Sequence, residues 1–230
     1  MNRNQYPKGS KGMIQCLVKE HKSLLDEKLG VNLSWISPIE STNFKEYQLN
    51  GSFISDTIGF PPNEFYNFWP SRQPQWDGLA MDNEHKTLYL IEAKSRLSEI
   101  EPGNYLTKDA NESQKANFNL KKNAIMSLKN HYGSDSDDKL WLHTYYQISN
   151  RLAFLHKLKK FTAVAKYNDV KLIFLNFEND SSWKSQSKNE SVPYGGWKKK
   201  YANILQKLGI SKEQLQNEGV LIIDIDGSNF

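Results

Sequence analysis

The run Leu88-Tyr89-Leu90-Ile91 constrains the fold of this chain more than any other feature. Four consecutive apolar residues leave no face for solvent. As a strand, the run has to be covered on both sides, which makes it a central strand between helical layers. The preceding segment, 75–81, reads as a second strand, joined to the strand 87–95 by the polar turn Asp82-Asn83-Glu84-His85-Lys86. Glu92 and Lys94 lie two residues apart and therefore project to one face of their strand. Antiparallel pairing brings a residue early in one strand beside one late in its neighbour, so Asp77 is expected next to them.

Around this hairpin the sequence alternates helical and extended patterns. Helical spacing covers 13–29 and stops at Gly30, and a short strand follows at 31–36. The segment 38–74 reads as irregular, with strands near 45–49 and 52–57 and a short helix opened by Pro61-Pro62. Helices are predicted at 111–131 and 138–160, divided by the acidic run Gly133-Ser134-Asp135-Ser136-Asp137-Asp138. A buried strand at 170–177, a polar loop at 178–192, a helix at 195–208, a capping box at Ser211 to Gln214 and a last strand at 220–225 complete the chain. The pattern predicts one α/β domain over 13–230, with a mixed central sheet flanked by helices, after a flexible polar segment at 1–12.

Composition narrows the function classes. With 38% hydrophobic and 24% charged residues in 230, the chain can build a core and is not of the disordered class. The net charge of +4 is compatible with a phosphate-rich partner and too small to argue for one alone. A single cysteine, Cys16, excludes an intramolecular disulfide and a Cys-based zinc site. The apolar runs are too short to cross a bilayer, and the first twelve residues lack the apolar core of a secretion signal, so the expected location is cytoplasmic with no membrane partner. The five histidines show no zinc spacing and read as surface or boundary residues. Segments rich in Trp and Tyr point to a partner surface or a homodimer.

Two carboxylates and an amine at the open end of a hairpin match what phosphodiester hydrolysis requires. Mg²⁺, with Mn²⁺ as a substitute, takes oxygen ligands, commonly one or two carboxylates plus water and substrate phosphate. Asp77 and Glu92 are the metal candidates, and the backbone carbonyl of Ala93 is within reach of the same ion. Lys94 is placed to orient the attacking water or to stabilise charge on phosphorus. On an exposed strand a Glu-x-Lys pair is ordinarily a solvated ion pair worth about 0–1 kcal/mol. At the end of an apolar strand its burial costs free energy unless something compensates, and a metal shared with Asp77 would.

The order Asp77, strand turn, Glu92-Ala93-Lys94 resembles the PD-(D/E)xK nuclease superfamily. Pro74 is separated from Asp77 by Gln75 and Trp76, so the literal Pro-Asp pair is missing. More narrowly, Phe68-Trp69-Pro70-Ser71-Arg72, Gln75-Trp76-Asp77-Gly78, Leu90-Ile91-Glu92-Ala93-Lys94 and residues 145–153 resemble a set of uncharacterised bacterial proteins with a nuclease-like core. The resemblance covers residues 68–178. It implies a restriction-endonuclease-like αβββαβ core, metal ligation by Asp77 and Glu92, and catalysis by Lys94. Such nucleases often add an acid from the first helix, here Glu20 with Glu27 behind it, and some place a helix glutamine beside the metal, here Gln147.

On the helix 138–160, Gln147, Asn150 and Arg151 share a face beside a core stripe of Tyr145, Ile148, Leu152 and Leu155, and Arg151 is a candidate phosphate ligand. Arg72 is a second. Lys198-Lys199-Lys200, flanked by Trp197 and Tyr201, combines charge with aromatic faces as nucleic-acid binders do, and Lys157, Lys159 and Lys160 form another basic cluster. Glu99 reads as a loop carboxylate. The expected activity is metal-dependent cleavage of nucleic acid, DNA before RNA. The alternatives are a catalytically inactive nucleic-acid-binding or assembly protein with the same fold, and a phosphoesterase for a small substrate.

Overall fold

The computed structural model describes residues 5–100, 103, 106–162, 165–183 and 191–230. Its helices are α1 (Ser10–Glu20), α2 (Ser23–Leu29), α3 (Ser52–Ile58), α4 (Glu112–His131), α5 (Tyr146–Lys159), α6 (Gly196–Leu208) and α7 (Lys212–Asn217). Its strands are β1 (Leu33–Ser37), β2 (Gly78–Asp82), β3 (Thr87–Lys94), β4 (Asp169–Glu178) and β5 (Val220–Asp226). They form one mixed sheet in the order β1-β2-β3-β4-β5. The first three strands run antiparallel, and β3, β4 and β5 run parallel to one another. No helix among the described residues is long and apolar enough to cross a membrane.

The apolar run behaves as its composition demands. All eight residues of β3 are buried, and alternation divides them between two cores. Tyr89, Ile91 and Ala93 pack with Met13, Ile14 and Leu17 of α1 and Leu25 of α2. Leu88 and Leu90 face the opposite side, with Ile125 of α4, Leu152 and Phe154 of α5, and Trp197 and Ile204 of α6. Glu92 and Lys94 continue that second register toward α5. The predicted core stripe of α5 is buried at Tyr145, Ile148, Leu152 and Leu155.

Several elements differ from their sequence reading. The single helix expected at 13–29 is split, because Lys19-Glu20-His21-Lys22-Ser23 supply no apolar anchor and His21 leaves helical geometry (φ −133°, ψ 24°). Gly30 closes α2 in the left-handed region, as expected. Helix α1 begins at Ser10, so the N-terminal segment read as flexible is helical from there. The strand expected at 52–57 is helix α3: Ile54 and Ile58, four apart, are both buried, and Gly59 closes the helix at φ 71°. Near 45–49 only an isolated bridge forms, Tyr47 to Trp76. Ahead of α5, residues Leu140–Thr144 form a widened π turn, which turns the adjacent Trp141 and Leu142 both inward. Within the loop read at 178–192, residues 184–190 lie outside the described residues.

Gly78 sets how closely α1 approaches the hairpin. A Cβ there would stand 3.0 Å from the Trp35 ring and 3.1 Å from both Ile14 Cδ1 and Ile91 Cβ. Three packed neighbours from three elements cannot all give way. Gly78→Ala is therefore expected to cost about 1–3 kcal/mol by overpacking, read as a lower urea midpoint with an unchanged slope.

Candidate functional site

The β2–β3 ladder pairs Gly78 with Ile91, so one further step along the register sets Asp77 across from Glu92. Asp77 Oδ2 accepts a 2.7 Å hydrogen bond from the Ala93 backbone N–H, which holds the carboxylate against the end of β3. Glu92, 2% exposed, has both oxygens engaged. Lys94 Nζ donates to Oε1 at 2.5 Å and Arg151 Nε to Oε2 at 2.6 Å. Lys94 also donates to the Ala93 carbonyl at 3.1 Å. The structure thus brings Asp77, Glu92, Ala93 and Lys94 together where the sequence placed them.

Charge shapes this cluster. Burial pushes the Asp77 carboxyl up, the negative charge of Glu92 pushes it further, and Lys94 and Arg151 only partly offset them; it rises to about 7. Burial alone would raise Glu92 too, but the charges and hydrogen bonds of Arg151 and Lys94 outweigh burial and hold it below the usual carboxylate range. Burial works against the Lys94 ammonium, and Glu92 and Asp77 overcome it, raising its pKa. The two carboxylates respond oppositely because only Glu92 has direct cationic partners.

Arg151 takes a different part from the phosphate fork expected of it. At 5% exposure, its Nη1 donates to Asn150 Oδ1 at 3.1 Å and its Nη2 to the Gln75 carbonyl at 2.8 Å. The guanidinium also lies 4.6 Å from the Trp76 ring centroid. With donors committed on three sides, it ties β3 to α5 and to the loop ahead of β2, and positions Glu92.

From Arg151 a chain of contacts leads outward. The Asn150 side chain is hydrogen-bonded to the Tyr146 hydroxyl, and Lys121 of α4 stands 5.9 Å from the Tyr146 ring centroid. Burial, and then the positive charge of Arg72, lower the Lys121 pKa. Arg72 and Lys121 are thus close together, and neither has an acidic partner among the described residues. Lys121 escaped the sequence reading because its neighbours Arg72 and Tyr146 are remote in sequence. Gln73, 4% exposed, leaves both side-chain amide atoms without a partner among the described residues, and the buried Gln147 Oε1 likewise has none among them.

Other candidates sit apart from the trio. Glu20 ends α1, on the face of the sheet opposite Glu92, and its carboxylate accepts hydrogen bonds from Tyr6 and Gln5. Gln147 occupies the first turn of α5, one turn ahead of Arg151, and makes no hydrogen bond to the trio among the described residues. Lys198 and Lys199 are exposed on α6 and Lys200 is partly buried. Trp197 and Tyr201, read as stacking faces, are buried: Trp197 Nε1 donates to the Phe177 carbonyl at 3.1 Å and Tyr201 to Asn176 Oδ1 at 3.2 Å. Their apolar bodies fill the core between α6 and β4, so they offer no surface to bases. Glu99 caps the end of β3 by accepting from the Ser95 N–H at 3.0 Å.

No family model, no curated protein and no solved structure matches the chain.

Proposed function

We propose that the protein is a metal-dependent nuclease whose reaction centre is Asp77, Glu92 and Lys94. The observation that carries this reading is the convergence of two carboxylates and an ammonium at the end of one hairpin, Glu92 and Lys94 buried and Asp77 partly so, with the Asp77 carboxyl pushed up to about 7. Structural ion pairs ordinarily settle into mutual neutralisation, and a raised acid in a charged cluster marks a functional candidate. The element order supports the same reading: with α2 before β1 and α3 between β1 and β2 set aside as additions, α1, β1 to β3, α4 and α5, and β4 follow the αβββαβ succession that the resemblance implies. Arg72 and Lys121, without an acidic partner among the described residues, offer a place for backbone phosphates.

The donor set fits a hard divalent cation such as Mg²⁺ or Mn²⁺. Asp77 and Glu92 would hold it, and it would supply Lewis-acid polarisation of the phosphoryl group and a more acidic water. Asp77 has to be ionised to serve, which its carboxyl reaches only above about pH 7 in the absence of a cation. Lys94, kept protonated by its two acidic neighbours, donates toward developing negative charge on phosphate. Arg151 fixes the Glu92 carboxylate against α5. Asp77 and Glu92 balance Lys94 and Arg151 in charge, so a divalent cation entering alone would leave an excess of two positive charges. Cation and phosphate are therefore expected to bind together, each strengthening the other.

A second reading, a nucleic-acid-binding protein without turnover, is favoured by one observation: both Glu92 oxygens are already satisfied within the protein. Cleavage of supercoiled plasmid, single-stranded DNA and RNA in Mg²⁺, Mn²⁺ or EDTA separates the two. The nuclease reading expects metal-dependent cutting by the wild type and a loss of about 10²–10³-fold in Lys94→Met, the scale of removing one transition-state donor. Metal-independent binding with no cutting in any condition would establish the second reading instead.

A further inference from the structure

A second cluster, made of residues outside the Asp77, Glu92 and Lys94 group, has the makings of a transition-metal site. His131 is the last residue of α4, His156 lies in α5, and Glu218 is the residue that closes α7. His131 Nε2 stands 2.6 Å from Glu218 Oε1. The two imidazole rings are tilted at 46° to each other with centroids 4.4 Å apart. One ligand atom from each of the three side chains falls within 4.8 Å of the other two. Neither ring nitrogen of His156 has a hydrogen-bond partner among the described residues. The histidines have no zinc spacing in sequence because their helices are brought side by side only by tertiary packing.

From this arrangement we infer that His131, His156 and Glu218 bind a zinc-class divalent cation, with water completing the coordination. Two imidazoles and a carboxylate are a donor set suited to Zn²⁺, which accepts nitrogen at about 2.0–2.1 Å and oxygen at about 2.0–2.2 Å. Ligand atoms around a tetrahedral ion of that size lie about 3.3 Å from one another. Side-chain rotation alone closes the remaining gap, because all three residues reach into a partly open surface.

The backbone that carries the ligands is already fixed. Gln214 Nε2 donates to the Tyr132 carbonyl at 2.9 Å, locking α7 to the end of α4. The Gly219 carbonyl, next to Glu218, accepts from the Leu172 N–H of β4 at 3.1 Å. Burial favours the neutral form of His156, as do the charges of Lys160 and His131, and neutral imidazole is the ligating form. Among the described residues, Lys160 is the cation outside the cluster that acts on His156, and Glu218 opposes it. A bound ion would join the C-terminal unit of α7 and β5 to the helical layer, far from Asp77 and Glu92 in the chain and independent of what they do.

Chelator-treated full-length protein titrated with ZnSO₄ in a calorimeter, with melting curves in parallel, tests this. The expected result is one Zn²⁺ per chain and a rise in Tm. Binding should weaken at least tenfold in each of His131→Ala, His156→Ala and Glu218→Gln, with the Tm rise lost. His85→Ala and Asp77→Asn should bind as the wild type does. Co²⁺ in place of zinc should give a visible d–d spectrum without a thiolate charge-transfer band. Circular dichroism establishes that each variant is folded, and His131 is exposed enough that its replacement leaves packing intact. No binding by the wild type, unaltered binding in folded His131→Ala, or a thiolate band from Cys16 would each overturn the inference.

Discussion

Glu92→Gln is expected to destabilise the protein by about 3–5 kcal/mol, although it changes one oxygen to an amide nitrogen and leaves the volume almost untouched. The charge of Glu92 is the direct counter-ion of both Lys94, at 2.5 Å, and Arg151, at 2.6 Å. Removing it leaves two buried cations uncompensated and turns an amide donor toward one of them, the costly way to break a buried pair. Urea denaturation at pH 7.5 measures the effect. Glu112→Gln, which disturbs only the exposed pair with Lys115, should leave the midpoint nearly unchanged. Adding Lys94→Met to Glu92→Gln should recover part of the loss, because one stranded charge goes with it. Acid should imitate the substitution. The Glu92 carboxyl is depressed in the fold, so its contribution is complete above the ordinary carboxylate range and lost as pH falls through the lowered value.

Asp77→Asn is expected to do the reverse: to raise stability while abolishing activity. The folded carboxyl titrates at about 7 instead of 3.8, so the folded state holds its proton more tightly than the unfolded chain. For a raised acid, stability is greatest below the unfolded value and falls as pH climbs from about 4 through 7. A shift of that size corresponds to roughly 4 kcal/mol. Asparagine removes the ionisation and keeps an oxygen to accept the Ala93 N–H. The variant should therefore be about 1–4 kcal/mol more stable than the wild type at pH 8, and nearly equal to it only below about pH 4. Metal-dependent cleavage should drop by at least about 10²-fold. A variant less stable than the wild type at pH 8 would show that Asp77 is a structural acid. Wild-type cleavage should fall as pH drops below about 7, with the inflection moving lower as Mg²⁺ rises, since cation and proton compete for the same carboxylate.

The hairpin was legible in the sequence for a physical reason. Strand alternation is local, so Glu92 and Lys94 share a face whatever the rest of the chain does, and the polar turn at 82–86 fixes which end meets Asp77. The expected mixed sheet with helices on both sides followed from the two-sided burial of β3. Features set by distant packing were not legible. Arg151 sits on a helix face that could equally address solvent, and only the approach of α5 to β3 and of Gln75 to α5 gives its donors protein partners. Trp197 and Tyr201 stand beside three lysines in sequence, yet helical periodicity separates them from Lys198 and Lys199 by turning the aromatic face to the core. Ile54 and Ile58 carry helical spacing, but in a segment of seven residues that signal is no stronger than a strand reading.

The sheet that buries Glu92 is assembled from parts of very different sequence separation. Strands β2 and β3 meet across the short turn at 83–86, whereas β4 reaches β3 only after the chain has passed through α4 and α5. Loop closure makes the first pairing fast and the second slow. The chain is thus expected to present a preformed hairpin whose acidic end is still wet, and to dehydrate it only when the parallel half docks. Substitutions at Arg151 should then accelerate unfolding and leave the refolding rate almost unchanged, whereas substitutions in the β2–β3 turn should slow refolding, both readable from the two arms of a chevron. The reaction centre would be the last part of the molecule to become itself.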